Sequence, residues 1–189
     1  MTDETLMAEY AAGDGQAFER LFARVAPRVH RFFLRTFGET ALADDLLQVT
    51  FLKVHKARRQ YRPQLPLLPW LFAVAARVRL DELRRRRRLA EDAGEDDLAR
   101  AEEAGAEEGA RAQAAEAARA EAAEAVRAAI DRLPQSQRVV LHLHRYEGLP
   151  LAQVAQVLGT TEGAVKLRAF RAYEKLRQEL RPLLAEEGP

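Results

Sequence analysis

The stretch Leu151-Ala152-Gln153-Val154-Ala155-Gln156-Val157-Leu158-Gly159-Thr160-Thr161-Glu162-Gly163-Ala164-Val165-Lys166-Leu167-Arg168-Ala169-Phe170-Arg171 decides the fold. Leu151, Val154, Ala155 and Leu158 recur at three- and four-residue steps, the spacing that puts side chains on one face of a helix. Gly159 supplies a tight exit, because a glycine just past a helix end takes the left-handed conformation with no Cβ penalty. Thr160 or Thr161 can cap the next helix, and Glu162 in its first turn complements the positive end of the helix dipole. That second helix is expected to run to about Leu180, with Val165, Ala169, Ala172, Leu176 and Leu180 inward. Its opposite face then presents Gly163, Lys166, Leu167, Phe170, Arg171 and Glu174. A short helix, a glycine turn and a longer helix make a helix-turn-helix. Lys and Arg on such a face can reach phosphates or guanine edges in a major groove, and Leu or Phe can touch thymine methyl groups. The same residues also describe a surface helix with solvated charges and two exposed apolar side chains, and the pattern alone leaves both readings open.

Upstream of this motif, Val126, Ala129, Ile130 and Leu133 predict a short helix stopped at Leu133-Pro134, where the proline can open the next one. Gln135 to Tyr146 continues with Val139, Val140 and Leu143 inward. Residues 124–189 thus form a C-terminal helical domain. Before it, from Leu89 to Ala123, Ala, Glu and Arg dominate with three glycines and no aromatic residue, too little bulky apolar surface for a core. Its first half reads as flexible linker, and its second half, beyond Arg111, as helical from alanine content.

Residues 1–88 form an N-terminal helical domain. Ala17, Phe18, Leu21, Phe22, Val25, Val29, Phe32 and Phe33 predict an amphipathic helix over Asp14–Phe37, bent at Pro27 and ended by Gly38. A second helix is expected from Thr40 to Gln60, with Leu47, Phe51 and Val54 on its inner face. Tyr61 to Pro66 reads as a loop, because Pro63, Pro66 and Pro69 fall too close together to propagate a helix. A last helix, Pro69 to Arg88, carries Leu71, Val74, Ala75 and Val78 inward and ends in five consecutive arginines, Arg84 to Arg88, which suit a helix C-terminus. The fold class is therefore all-α: two small helical domains joined by a flexible acidic linker.

Charge follows the same division. From Leu89 to Glu124 three arginines face twelve acidic residues, a local balance of −9; since the whole 189-residue chain is +1, the remaining sequence carries +10. Two cationic regions separated by an anionic one can attract phosphate backbones despite the neutral average. The chain has no cysteine, which excludes disulfides and thiolate metal sites. Its first residues are acidic where a signal peptide is basic, and the longest apolar stretch, Leu65 to Ala76, is 12 residues and holds two prolines. A cytoplasmic protein without membrane insertion is expected. His30, His55, His142 and His144 are scattered, and the last two point to different helix faces, so no metal is expected. No phosphate-cradling glycine loop or nucleophile elbow occurs, so neither an enzyme nor a cofactor is expected.

Several segments together resemble one family, the extracytoplasmic-function (ECF) sigma factors of RNA polymerase. Ala43-Asp44-Asp45-Leu46-Leu47-Gln48-Val49-Thr50-Phe51-Leu52-Lys53-Val54 is similar to the family's polymerase-clamp-binding helix. Trp70-Leu71-Phe72 through Leu80-Asp81-Glu82-Leu83-Arg84-Arg85-Arg86 resembles its promoter-melting helix. Leu133-Pro134, Glu147-Gly148-Leu149 and Gly163-Ala164-Val165-Lys166-Leu167-Arg168 resemble the C-terminal domain that reads the upstream promoter element.

The resemblance implies a sigma region 2 bundle over residues 1–88 and a sigma region 4 helix-turn-helix over 124–189. It also implies roles. Asp44, Asp45 and Gln48 would face the clamp of the largest polymerase subunit, although Val49 stands where the family often has Glu. Tyr61 would stand at the edge of the loop that receives a base flipped from the minus-ten element, and stacking on an aromatic compensates a base for leaving the duplex. A core tyrosine pinning the loop is the other reading of the same residue. Arg77, Arg84 and Arg88 recur at helical spacing and would follow the melted strand; Arg77 stands where many relatives carry Asn. Lys166, Leu167, Phe170 and Arg171 would read the minus-thirty-five element. The implied partners are core RNA polymerase, promoter DNA and an anti-sigma factor. The acidic linker reads either as a mimic of nucleic-acid charge or as a solvated spacer. A stand-alone helix-turn-helix regulator and a helical adaptor that grips acidic partners are the competing function classes.

Overall fold

A computed structural model of the chain describes residues 1–93 and 112–182, and among them every regular element is a helix or helical turn. The expected all-α class is what the structure shows. The chain divides into two compact units, Met1–Glu102 with Gln156–Gly159 and Glu103–Ala155 with Thr160–Pro189. The expected linker begins at Leu89, but α4 continues as helix through Leu89–Ala93 instead of ending at Arg88; residues 94–111, the rest of the linker's first half, lie outside the described residues.

The N-terminal unit opens with α1 (Asp3–Ala12), a helix additional to those expected from the sequence. Its buried side chains, Leu6, Met7 and Tyr10, lie on one face, but three apolar positions make too short a pattern to stand out in the sequence. Its ends carry ordinary punctuation: the Thr2 hydroxyl accepts from the Thr5 amide, and Gly13 closes the helix at φ +115°. Next comes α2 (Gly15–Phe37), capped by Asp14, whose Oδ1 accepts from Gln16 N at 2.8 Å and Ala17 N at 3.2 Å. The helix runs on through Pro27, which lies on the solvent side. There water can satisfy the carbonyl that a proline leaves without a partner.

Helix α3 (Thr40–Ala57) ends in a 3-10 turn at Arg58–Gln60, the extent expected from the sequence. Its buried stripe is Ala43, Leu46, Thr50, Phe51 and Val54, so Leu46 takes the inner place expected for Leu47. Thr50 is tolerated there because its hydroxyl donates to the Leu46 carbonyl at 2.7 Å. Helix α4 (Leu67–Ala93) begins two residues before the expected start. Pro69 falls in its first turn, where amides have no intrahelical acceptor and a missing N–H costs nothing. Phe32, Phe33, Phe72, Leu71, Val25 and Val29 form the inner packing, with Phe72 edge-on to Phe32 at 5.6 Å. Phe22 belongs to this pattern in the sequence but sits at its rim, against Phe51 at 4.6 Å.

The C-terminal helices are α5 (Ala112–Asp131), α6 (Gln135–Leu141), α7 (Leu151–Leu158) and α8 (Glu162–Glu179). Helix α5 is continuous across the point where the sequence separates an alanine-rich segment from a short helix, and Val126 is exposed on it. Pro134 caps α6, and its carbonyl accepts from Gln137 and Arg138 amides. A π-helical turn, His142–Tyr146, replaces the last part of the helix expected to reach Tyr146. Helix α8 packs on α6 and α5, with Leu133, Leu141 and Ala172 at the centre and Leu176 beside them.

Candidate nucleic-acid interfaces

The turn between α7 and α8 is built by two residues. Gly159 adopts φ +62°, a conformation L side chains rarely take, and the Thr161 hydroxyl accepts from Ala164 N at 3.2 Å to start α8. Val165, Ala169 and Ala172 are buried, which turns the opposite side of α8 to solvent. Leu167 is 48% exposed and Phe170 63%, unusual for large apolar side chains with no partner surface over them. Lys166 pairs with Glu162 at 2.8 Å, one turn back. Arg171 is exposed and, among the described residues, has no carboxylate within 4.0 Å. The face expected from spacing is therefore apolar at its middle with an uncommitted cation beside it.

On α4 the structure sorts the arginine run. Glu82, 7% exposed, accepts two bonds from Arg85 at 2.7 and 2.8 Å and one from Arg86 at 3.0 Å. Arg86 also donates to Glu39 at 2.8 Å and lies over the Phe37 ring, while Arg87 pairs with Glu91. These three are tied within the protein. Arg84 only approaches Asp81, at 4.0 Å, and Asp81 is held by Lys53 at 3.2 Å. Arg77 and Arg88 are exposed, and neither forms an ion pair with a carboxylate among the residues whose side chains are described. Asp81, Arg84, Arg85, Arg88 and Leu89 line a shallow open groove along this face. The organiser, Glu82, was not singled out from the sequence, although its three- and four-residue spacing to Arg85 and Arg86 was readable.

The Arg85 bonds hold the Glu82 carboxyl below its ordinary value of 4.5, with Arg86 adding to the effect. A carboxylate whose folded value is depressed contributes stability in full above pH 4.5 and loses it as pH falls through the folded value. Glu82→Ala is expected to destabilise the N-terminal unit by about 2 kcal/mol at neutral pH, the worth of hydrogen bonds to a charged group. Trp70, the one tryptophan, reports that unit alone. Thermal unfolding followed by its fluorescence checks this, and the gap between wild type and variant should narrow below pH 4.5.

Tyr61 is 6% exposed, its ring 5.3 Å from Trp70 and its hydroxyl donating to the Leu65 carbonyl at 2.6 Å. Burial pushes its phenol up to about 12. As it stands, the ring offers no free face to a flipped base; it pins the loop, and Arg62, Gln64 and Leu65 are the side chains turned outward. Trp70, beside it, is half-buried.

Asp44, Asp45 and Gln48 are all exposed on α3. Asp44 Oδ1 lies 3.2 Å from His30 Nε2, which anchors one end of this patch to α2. Val49, 39% exposed, and Leu52, 61% exposed, adjoin Asp45 and Gln48, an apolar component that the sequence reading did not include. Among the described residues no group of three or more His, Asp or Glu is placed to hold a metal, and no helix is long and apolar enough to cross a membrane.

Residues 21–89 match the family model of Sigma-70 region 2, and residues 123–176 that of Sigma-70, region 4. With the helical units that carry them, the matched segments define a transcription initiation factor of the sigma-70 class. The chain is 36% identical to RNA polymerase sigma factor CarQ of Myxococcus xanthus, covering 95% of this chain and 98% of that protein. It is 32% identical to ECF RNA polymerase sigma factor SigM of Mycobacterium tuberculosis, covering 95% and 85%. Among solved structures it resembles CnrH in complex with the cytosolic domain of CnrY, with TM-score 0.67, 27% identity and coverage of 98% and 99%. RpoE of Bartonella quintana, solved with the anti-sigma factor NepR, shares the fold at TM-score 0.71 and 21% identity, covering 87% and 96%. The chain belongs to the ECF family of RNA polymerase sigma factors.

Proposed function

We propose that the chain docks on core RNA polymerase and reads a promoter in two pieces: the minus-thirty-five element as duplex and the minus-ten element as melted strand. The observation that carries this reading is the outer face of α8, where Leu167, Phe170 and Arg171 stand exposed on a helix whose other side is buried. Apolar side chains beside a free guanidinium can read thymine methyls and guanine edges. Residues 124–189 act as the upstream reader and residues 1–88 as the downstream one, with the acidic stretch 89–123 between them.

In the N-terminal unit, Arg77, Arg84 and Arg88 follow the melted strand, since they are the α4 cations least committed elsewhere. Tyr61 contributes by fixing the loop whose outward residues meet the flipped base. Asp44, Asp45 and Gln48 bind the clamp of the largest subunit, with Val49 and Leu52 adding apolar area. An anti-sigma factor restrains the chain; two structural relatives were solved with bound partners, one of them an anti-sigma factor. Footprinting tests the reading. A promoter duplex should be protected strongly by the chain together with core polymerase and weakly by the chain alone; strong protection without polymerase would support a stand-alone regulator instead.

A further inference from the structure

Helix α1 precedes the matched region 2 segment, yet it touches residues that flank the Tyr61–Pro66 loop on both sides. At its C-terminal end, Tyr10 Oη lies 2.5 Å from His55 Nδ1, and the Arg58 guanidinium sits over the Tyr10 ring at 5.9 Å. Arg58 begins the 3-10 turn that leads into Tyr61. At the N-terminal end, Glu4 Oε1 accepts from the amide of Leu67 at 3.0 Å, the first residue of α4 after the loop. Leu6 and Met7, fully buried, hold α1 in place between these two contacts.

We propose that α1 is a brace for the minus-ten loop, and that Glu4 is its positioning residue, setting where the loop ends and how Arg62, Gln64 and Leu65 face the DNA. The inference rests on the minus-ten reading of this loop. A carboxylate is apt at this point because the first amides of a helix lack intrahelical acceptors and carry the positive end of its dipole. The bond also holds the Glu4 carboxyl below its usual range, so the group is charged at neutral pH. With the Tyr61 hydroxyl bonded to the Leu65 carbonyl inside the loop, the loop's exit is tied by one bond within it and one from α1 to the start of α4.

The test uses the full chain assembled with core polymerase, and measures transcription from promoters substituted at each minus-ten position. Glu4→Ala should lower selectivity at the position read by the loop about tenfold, the effect of losing a hydrogen bond to a charged group. Holoenzyme assembly and upstream selectivity should stay at wild-type levels. Glu4→Gln keeps an acceptor oxygen for Leu67 N and should restore most of the selectivity. The inference is overturned if Glu4→Ala keeps wild-type selectivity, or if both variants lose output equally at every position, as a merely structural role predicts. A wild-type chain with no preference at any minus-ten position would instead remove the minus-ten reading, and this inference with it.

Discussion

Arg171→Ala is expected to lower initiation about tenfold or more at promoters carrying the chain's preferred upstream element, the range that follows when one specific base contact is lost. Arg171 is exposed and has no carboxylate within 4.0 Å among the described residues, so its guanidinium is available to a guanine edge or phosphate at no cost in internal pairing. Lys166, tied to Glu162 at 2.8 Å, should matter less, and its loss should weaken binding evenly across sequences, as a phosphate contact does. Run-off transcription on promoters with matched and scrambled upstream elements separates the two. If Arg171→Ala leaves both output and upstream preference unchanged, the α8 face is not the reader.

A second large effect is expected in the core of the N-terminal unit. Phe72 is fully buried and edge-on to Phe32 at 5.6 Å, in the packing that sets α4 against α2. Phe72→Ala should cost about 3–5 kcal/mol, the lost transfer energy of the ring plus the cavity it leaves. Trp70 stands two residues away, so its fluorescence transition should move to much lower denaturant. A shift worth less than about 1 kcal/mol would mean that the site collapses around the gap and that Phe72 does not organise α4.

Where local chemistry punctuates the chain, the fold could be read from residues alone. Helix α7 has the expected ends, with Gly159 closing it in the left-handed region, and Thr161 turns out to be the one of the two threonines that caps α8. The buried and exposed sides of α8 follow from its apolar spacing in the same way. The start of α4 could not be read so directly: three prolines look like a loop, and only the first-turn position of Pro69 makes it harmless. Helix α1 did not stand out because Leu6, Met7 and Tyr10 make only a short apolar pattern, and its value comes from contacts with residues more than forty positions away.

The candidate site was legible to a similar degree. Spacing picked out Arg77, Arg84 and Arg88, but only the structure shows why they differ from Arg85 to Arg87: Glu82, Glu39 and Glu91 engage the other three. For Tyr61, sequence left stacking platform and loop pin equally open, and what the structure adds is its burial against Trp70 and the bond to the Leu65 carbonyl.

Site-selective RNA synthesis tests the central claim most directly. Purified full-length chain added to core RNA polymerase on a library of promoter fragments should yield transcripts from a restricted set sharing two spaced elements, with no such transcripts from core polymerase alone. Transcription that is no more selective with the chain than without it would contradict the account.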